Sequence, residues 1–389
     1  MKKDEHQFSV LIPDGESKYL MLVLNCLSLV KGIKVHVMSN DEKYTALRYS
    51  NRICSYSYYP ITTDDSLWIS NINKEITKYK IDVLMPIFND GIMKLNLNKN
   101  SLSNECALVA LPPLTSLNTA LNKWSLAEHM KNNLINGPNS ILIKPEEFNN
   151  IDKFNFQFPC LIKPTVNTGG GIGIQKINSK EELKQYINNK NPVHSILLQE
   201  YIDGFDLGCN VLCSQGRILA TTIQKGNLYN NIPYSPQIGL QFIKEDKALE
   251  LAKKLMKSLN WSGVANIDMI YDQERDLVQI LEINPRYWLT TDASAIAGVN
   301  FPYLYCLNAL GINFEVPAYS ELNYLNLQGL VKSVSKDPRL LFNFKFIWNN
   351  TPFKFAIKDP RPMIYHFIWR TKNILLQRIR KPRGAISSK

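Results

Sequence analysis

Two groups of residues have the types and spacing that chemistry on an anionic ligand requires. The first is a glycine-rich turn: a short apolar run ends at Lys163, and Gly169, Gly170, Gly171 and Gly173 follow. Without Cβ atoms, glycines let backbone N–H groups approach an anion closely, and Lys163 adds a positive charge at the base of the turn. Because apolar residues then recur near period two, we predict a hairpin with this loop at its tip. A surface hairpin without a ligand is the alternative interpretation.

The common nucleotide-binding loops do not fit this turn. A P-loop places a lysine directly after its last glycine, whereas Ile174 follows Gly173 here. The dinucleotide pattern GxGxxG needs a further glycine at position 174 or 176, and these positions hold isoleucine and lysine. Both loops also open a helix, whereas this turn leads back into a strand.

The second group consists of oxygen-bearing side chains on two predicted strands. Asp268 lies in the run VANIDMIY, and Glu282 and Asn284 lie in LVQILEINPR, with Arg286 two residues further on. Glu282 and Asn284 point to the same face because side chains alternate along a strand. Carboxylate and amide oxygens are hard ligands of the kind that Mg²⁺ prefers. Acidic residues that merely end a strand are the alternative.

The elements that must position these residues fall into two patterns. Up to about residue 111, strands alternate with helices, which favours a small parallel α/β unit. Beyond it, a helix is predicted over residues 115–133, a helix over 246–259, and a loop rich in asparagine, proline and tyrosine over 226–239. Strands are predicted at 8–13, 33–38, 81–88, 107–111, 195–198, 263–270 and 277–283, and residues 207–223 are predicted to form two strands around a turn at 214–217.

The order of these pieces from about residue 115 to 318 resembles the ATP-grasp superfamily, in its branch of carbamoyl-phosphate-synthetase-like carboxylate–amine ligases. The resemblance implies an α/β N-terminal pre-ATP-grasp domain, an α+β ATP-grasp fold and a basic, aromatic C-terminal tail. It implies four regions: 1–114 as the pre-ATP-grasp domain, 115–190 as subdomain A with the glycine-rich loop, 191–318 as subdomain B with the Mg²⁺ site, and 319–389 as the C-terminal extension.

The resemblance also implies roles around Mg-ATP. Residues expected to bind the nucleotide are two lysines for the phosphates, the loop that closes over them, a segment beside adenine and an acid for the ribose: Lys123, Lys163, Thr168, Gly169, Gly170, Gly171, Gly173, Gln199, Glu200, Tyr201, Ile202 and Asp206. Asp206 departs from the family, where the ribose acid is more often glutamate. Asp268, Glu282 and Asn284 are the expected ligands of Mg²⁺, with Mn²⁺ as the alternative metal. Arg286 and Lys225 are the expected catalytic residues.

The implied reaction forms an amide. A small-molecule carboxylate would attack the γ-phosphate of ATP to give an acyl phosphate, and an amine would then displace phosphate. An ATP-grasp kinase or carboxylating enzyme remains an alternative, as does a nucleotide-binding regulator without catalysis. Family members are often dimers, so a homodimer is expected.

Charge sets the C-terminal tail apart. Of the 389 residues, 336–389 hold thirteen Lys and Arg against two Asp and Glu, so the whole formal excess of +11 lies there. Residues 362–380 are predicted to form a basic amphipathic helix, which favours contact with an anionic membrane. A segment that packs on the body with a solvated basic face is the alternative. No nucleic-acid partner is expected because no binding module accompanies the charge.

Cysteine and histidine usage bears on the compartment. Seven scattered cysteines and five histidines show no zinc spacing, which favours a reducing compartment. The N-terminus is not typical of a signal peptide, and no run of about eighteen apolar residues occurs. We therefore predict a cytoplasmic protein, peripheral at the inner face of the membrane if the tail binds lipid.

Overall fold

The structure is a computed structural model, and it describes residues 6–41, 46–165, 171, 173–231, 234–362 and 364–365. Thr168, Gly169 and Gly170, and most of the helix predicted at 362–380, lie outside the described residues. Among the helices that are described, none has both the length of eighteen residues and the hydrophobicity that crossing a bilayer requires.

A parallel five-stranded sheet occupies the N-terminal region, in the spatial order β3-β2-β1-β4-β5. Its central strand is buried throughout because helices cover both faces: Val10 packs with helix α1, and Leu11 packs with helix α2. This confirms the predicted parallel α/β unit. The strands are β1 Phe8–Ile12, β2 Ile33–Ser39, β3 Ser55–Tyr58, β4 Val83–Leu84 and β5 Ala107–Leu108, and the helices are α1 Leu20–Leu27, α2 Asp65–Tyr79 and α3 Asn89–Asn98, with 3₁₀ turns at Leu47–Tyr49 and Lys99–Ser101.

The helix predicted over 115–133 is in fact two helices, α4 Leu114–Leu121 and α5 Lys123–Asn132. The chain breaks at Asn122, whose backbone is extended and whose side chain accepts a hydrogen bond from the Ser125 N–H at 3.0 Å. Asparagine is a favoured N-cap because its carbonyl satisfies one of the unpaired N–H groups of the first turn. The break makes Lys123 the first residue of α5.

A four-stranded antiparallel sheet follows, in the order β6-β9-β7-β8. The predicted glycine-rich hairpin is confirmed, since β7 and β8 pair antiparallel with Cys160 opposite Ile177. Helix α6 packs on this sheet through Leu183 and Ile187. The elements are β6 Ser140–Ile143, a 3₁₀ segment Pro145–Lys153, β7 Cys160–Pro164, β8 Gln175–Ile177, α6 Lys180–Lys190 and β9 Ile196–Glu200.

A six-stranded antiparallel sheet carries the acidic residues, in the order β14-β13-β10-β11-β12-β15. One face packs on helix α7 through an apolar core that includes Cys209, Val211 and Leu255, and the opposite face is polar near β13 and β14. The elements are β10 Gly204–Ser214, β11 Arg217–Leu228, β12 Gly239–Ile243, α7 Asp246–Ser258, β13 Gly263–Asp272, β14 Leu277–Asn284 and β15 Asn323–Leu325.

Five further helices and one 3₁₀ turn complete the described chain. Helix α9 packs in the core beneath the N-terminal sheet, and buried Asp292 of α8 accepts a hydrogen bond from Asn25 of α1 at 2.8 Å. The ATP-grasp-like sheets are thereby tied to the N-terminal region. These elements are α8 Thr291–Ala297, α9 Phe301–Ala309, α10 Leu327–Lys336, the 3₁₀ turn Pro338–Phe342, α11 Phe344–Asn350 and α12 Phe353–Lys358.

Candidate active site

Lys163 lies at the end of β7, where the hairpin begins, and its side chain is buried. Its Nζ donates a hydrogen bond to Gln199 Oε1 at 2.5 Å. Burial lowers the pKa of Lys163 to about 8, although the nearby Glu282 carboxylate opposes the shift. In the part of the chain that the structure describes, no carboxylate forms a salt bridge with this buried ammonium, which is therefore suited to bind an anion such as a phosphate.

The described glycines of the loop adopt backbone conformations that other residues avoid. Gly171 and Gly173 have φ angles of +77° and +79°. A side chain at Gly171 would collide with the backbone of Tyr234, and one at Gly173 would lie 2.8 Å from Pro164 Cγ. The hairpin therefore contacts the loop between β11 and β12 at a point where only glycine fits.

Lys123 reaches the acidic strand because of the break between α4 and α5. Its N–H donates to the Thr165 carbonyl at 3.1 Å, and its Nζ lies 2.5 Å from Glu282 Oε2. Lys123 is almost fully buried. Two expected ligand-binding residues that are 159 positions apart in the chain thus form one ion pair.

Asp268 and Glu282 are direct neighbours on adjacent strands, as predicted from the strand pattern. Asn284 Nδ2 donates to both carboxylates, at 3.0 Å to Asp268 Oδ2 and 3.3 Å to Glu282 Oε1. Burial, together with the Glu282 charge, raises the pKa of Asp268 well above its usual range. Burial would also raise the pKa of Glu282, but the Lys123 ammonium holds it at about 2.

This donor set fits a divalent cation. Within the described residues the one salt bridge to this pair of carboxylates is that of Lys123 with Glu282, while the charges of Arg286 and Lys163 act on the pair without a salt bridge. No three His, Cys, Asp or Glu of the described chain lie close enough together to hold a metal. Oxygen ligands from Asn284 or from bound phosphates would therefore be needed to complete the shell, as is usual for Mg²⁺.

A row of buried polar side chains, which the sequence analysis missed, supports Asn284. Asn266 Oδ1 accepts from Asn284 Nδ2 at 3.4 Å, and Asn266 Nδ2 donates to Asn210 Oδ1 at 3.1 Å. Asn210 in turn donates to Thr222 Oγ1 at 3.1 Å. Buried polar groups that satisfy one another hold a fixed geometry. The available signal was a single asparagine in each of three largely apolar strands, β10, β13 and β14.

Arg286 lies on the other side of Asn284, against the N-terminal region. Its Nη2 donates to Asn284 Oδ1 at 2.9 Å, and its guanidinium lies 4.9 Å from the Tyr19 ring centre and 5.9 Å from that of Phe88. Its Nε is buried, and no described residue forms a hydrogen bond with it. Lys18 Nζ lies 5.4 Å from the same Tyr19 ring, and burial followed by the Arg286 charge lowers its pKa.

The expected adenine segment follows β9. The Glu200 N–H donates to the Asn139 carbonyl at 2.8 Å, and the Glu200 side chain pairs with Arg275 at 2.6 Å. Among the described residues, the Ile202 N–H has no acceptor, and the Ile202 side chain is buried. The Tyr201 ring is covered by Lys176 Nζ at 3.6 Å. The free Ile202 N–H could therefore donate a hydrogen bond to a ring nitrogen on the edge of adenine.

Asp206 and Lys225 are on opposite faces of the six-stranded sheet. Asp206 shares the face of Asp268, since Gly208 of its strand pairs with Asp268, and it accepts from Gln237 at 3.3 Å. Lys225 pairs with Leu207 and stacks over Phe205 at 3.6 Å, on the helix-covered face. The structure therefore does not bring Lys225 to the carboxylates, which removes the support for its expected catalytic role.

The comparisons with known proteins agree with this geometry. Residues 120–291 match a model of the ATP-grasp domain. The chain is 23% identical over 265 residues to the carbamoyl phosphate synthase large chain of Caldanaerobacter subterraneus subsp. tengcongensis, covering 66% of this chain and 24% of that protein. It is 25% identical over 205 residues to the D-alanine–D-alanine ligase of Carboxydothermus hydrogenoformans, covering 47% of this chain and 65% of the ligase. The chain thus spans about a quarter of the synthase.

Solved structures share the fold. The N5-carboxyaminoimidazole synthetase from Staphylococcus aureus has a TM-score of 0.64 at 16% identity, covering 87% of this chain and 89% of that chain. The L-amino acid ligase from Bacillus licheniformis has a TM-score of 0.57 at 16% identity, covering 82% and 76%. The α/β domain followed by the α+β ATP-grasp fold is thereby confirmed, and residues 120–291 form an ATP-grasp domain that is similar to parts of carbamoyl phosphate synthase and D-alanine–D-alanine ligase.

Proposed function

We propose that the protein is an ATP-grasp ligase that joins a small-molecule carboxylate to an amine and converts ATP to ADP and phosphate. The observation that carries the proposal is the convergence of Lys123, Lys163 and the Asp268–Glu282 pair. These groups come from helix α5 and from two separate sheets. Buried charges that are only partly neutralised are costly to maintain without a ligand.

The nucleotide would bind between the two antiparallel sheets. Lys123 and Lys163 would neutralise the α- and β-phosphates, and the glycine-rich loop would cover the β- and γ-phosphates and exclude water. The backbone of Ile202 would contact adenine, and Asp206 would accept hydrogen bonds from the ribose hydroxyls. The contact of Gly171 with Tyr234 supports a role of the loop between β11 and β12 in the same closure.

Asp268, Glu282 and Asn284 would hold Mg²⁺, or Mn²⁺ in its place. The metal would supply charge neutralisation between the phosphates and the acidic strand pair. Lys123 would keep Glu282 ionised at neutral pH, because it holds the pKa of that carboxyl at about 2 despite burial. The polar row of Asn266 and Asn210 would fix the Asn284 amide.

Arg286 would act on the acceptor. A carboxylate oxygen of the acid would attack the γ-phosphorus, the bond to the β-phosphate oxygen would break, and ADP would leave. The amine would then attack the acyl carbon, phosphate would leave, and the amine would lose a proton. Arg286 would stabilise the charge on the transferred phosphoryl group and on the acyl oxygen.

Three alternatives can be distinguished by their products. A kinase would release a stable phosphorylated product, and a carboxylating enzyme would require bicarbonate and form no amide. A non-catalytic regulator would bind ATP without turnover. The retention of Lys163, Asp268, Glu282, Asn284 and Arg286 together favours catalysis.

The test is ADP release from Mg-ATP with a panel of small acids and amino acids, with and without hydroxylamine as a surrogate amine. An acyl phosphate would be trapped as a hydroxamate, which neither a kinase with an alcohol acceptor nor a regulator would give. Glu282→Ala should abolish release. Glu274→Ala is the matched control, since this residue lies in the turn between the same two strands.

The possible outcomes distinguish the ligase from the alternative functions. Hydroxamate formation that needs one acid and vanishes only in Glu282→Ala supports the ligase. ADP release without hydroxamate, or release that requires bicarbonate, would instead favour an alternative enzyme. As partners we propose the two small-molecule substrates and a second copy of the chain in a homodimer. We also propose that the protein is cytoplasmic and that residues 336–389 contact the anionic inner face of the membrane.

A further inference from the structure

The C-terminal helices differ from the rest of the described surface in their apolar side chains. Twenty-one large apolar residues are exposed in the described part of the chain, and nine of them lie between residues 327 and 364. Singly scattered exposed apolar residues are normal, whereas a concentrated group indicates a contact surface. This stretch is therefore the part of the described surface where a partner is expected.

The exposed residues fall into pairs at helical spacing. Helix α10 exposes Leu327 and Val331, α11 exposes Phe344 and Trp348, and α12 exposes Phe353 and Ile357. Residues four apart lie one above the other on the same side of a helix. We call these three pairs the outward pairs.

Helices α11 and α12 also pack on the rest of the protein through buried residues. Ile347 of α11 and Phe355 of α12 are buried. Arg52 Nη2 donates to the Phe355 carbonyl at 2.6 Å, and Asp359 is buried beside Arg52 and Ser50. The segment is thus fastened to the N-terminal region and presents a second apolar side outward.

The charge around the outward pairs is positive. Residues 327–362 contain seven Lys and Arg but only two acids, Asp337 and Asp359. Asp359 is buried, and Asp337 pairs with Arg339 at 2.9 Å. Basic side chains beside exposed tryptophan and phenylalanine are typical of a surface that lies in the headgroup region of an anionic bilayer.

We propose that α10, α11 and α12 dock on an anionic lipid bilayer through the outward pairs. The excess positive charge disfavours a second copy as the occupant, because two such faces would repel each other. The docking face begins at Leu327 and consists of folded helices, so it does not depend on the basic residues after 365. It is also independent of the proposed ligase reaction, since none of its residues belongs to the candidate active site.

The experiment is vesicle flotation with the full chain. We expect binding to vesicles of phosphatidylcholine with about a third phosphatidylglycerol, and little binding to phosphatidylcholine alone. The variant Phe344→Ser with Trp348→Ser should bind the anionic vesicles about tenfold or more weakly, because the apolar area that enters the bilayer is lost. Ile61→Ser with Val193→Ser is the matched control, since these residues are 81% and 76% exposed elsewhere.

Three results would overturn the proposal. One is the absence of binding to anionic vesicles by the unchanged chain. Another is equal binding by the Phe344→Ser, Trp348→Ser variant, which would assign the binding to charge on the terminal residues alone. The third is a dimer, seen by analytical ultracentrifugation without lipid, that the same variant converts to a monomer. That result would make a second copy the occupant.

Discussion

The two sides of Asn284 differ in how their charges are balanced. On one side, Lys123, Glu282 and Asp268 contact one another or share the Asn284 amide, and Lys163 is held by Gln199. On the other side, Lys18 and Arg286 flank the Tyr19 ring, and within the described residues neither forms an ion pair.

We call the side with Lys123, Lys163, Asp268 and Glu282 the phosphate–metal side, and the side with Lys18 and Arg286 the acceptor side. The two sides differ in what they require from a ligand. The phosphate–metal side is held in place by its own contacts, so a ligand adds to an arrangement that already exists. On the acceptor side, the buried Arg286 Nε has no hydrogen-bond partner among the described residues. Since unpaired buried polar atoms are costly, a substrate that pairs with them would gain affinity and specificity there.

The strongest test of the phosphate–metal side is Lys163→Met. We expect kcat/KM for ATP to fall about a thousandfold, because the buried ammonium that neutralises phosphate is lost. Steady-state ADP release measures this, and thermal unfolding checks that the fold persists. Lys190→Met, an exposed lysine on α6, should leave activity unchanged. If the Lys163→Met variant kept an activity within a few-fold of that of the unchanged protein, Lys163 would not be a phosphate-binding residue.

Arg286→Met tests the acceptor side. We expect kcat/KM for the acid to fall about a hundredfold, since the cation that stabilises the transferred phosphoryl group is removed. Calorimetric titration should show ATP affinity almost unchanged, because Arg286 lies beyond Asn284 from the two phosphate lysines. A parallel loss of ATP affinity would mean that the two sides are not separate.

The phosphate–metal side was predictable where it depends on short sequence spacing. Glu282 and Asn284 are two apart and share a face by the alternation of a strand alone. The position of Lys123 was harder to predict from the sequence, because helical periodicity continues through Asn122. The signal that was available is the asparagine itself, a favoured N-cap three residues before Ser125.

The remainder depends on long-range packing that spacing does not encode. The face occupied by Lys225 follows from the register of β11 on β10, which shifts at an irregularity between Leu212 and Cys213. Lys18 approaches Arg286 only because the N-terminal sheet docks on the ATP-grasp fold. No local pattern in either segment reports that contact.

Lys18→Gln tests whether the second cation of the acceptor side contributes to binding of the acid, and its expected effect is smaller. Lys18 is exposed, so we expect only about a fivefold rise in KM for the acid, in line with the modest strength of exposed ion pairs. kcat and ATP affinity should not change. Lys74→Gln, another exposed lysine of the N-terminal region, is the control. An unchanged KM would leave Arg286 as the cation that selects the acid.

The pH dependence of ATP binding is the finest test, because it reports the charge of one buried lysine. Burial lowers the pKa of Lys163 to about 8, so the side chain is an ammonium below this pH and a neutral amine above it. Bound phosphates favour the ammonium, and binding above pH 8 must therefore take up a proton. From about pH 7 to about pH 8.5, affinity for a non-hydrolysable ATP analogue should fall about fourfold.

Lys163→Arg separates this lysine from other titrating groups. A guanidinium stays charged throughout this range, so the variant should bind the analogue with a flat pH profile even if its affinity is lower overall. Lys18→Gln should keep the slope of the unchanged protein. If Lys163→Arg retained the slope, the proton would be taken up elsewhere, and Lys163 would not be the charge that ties phosphate binding to pH.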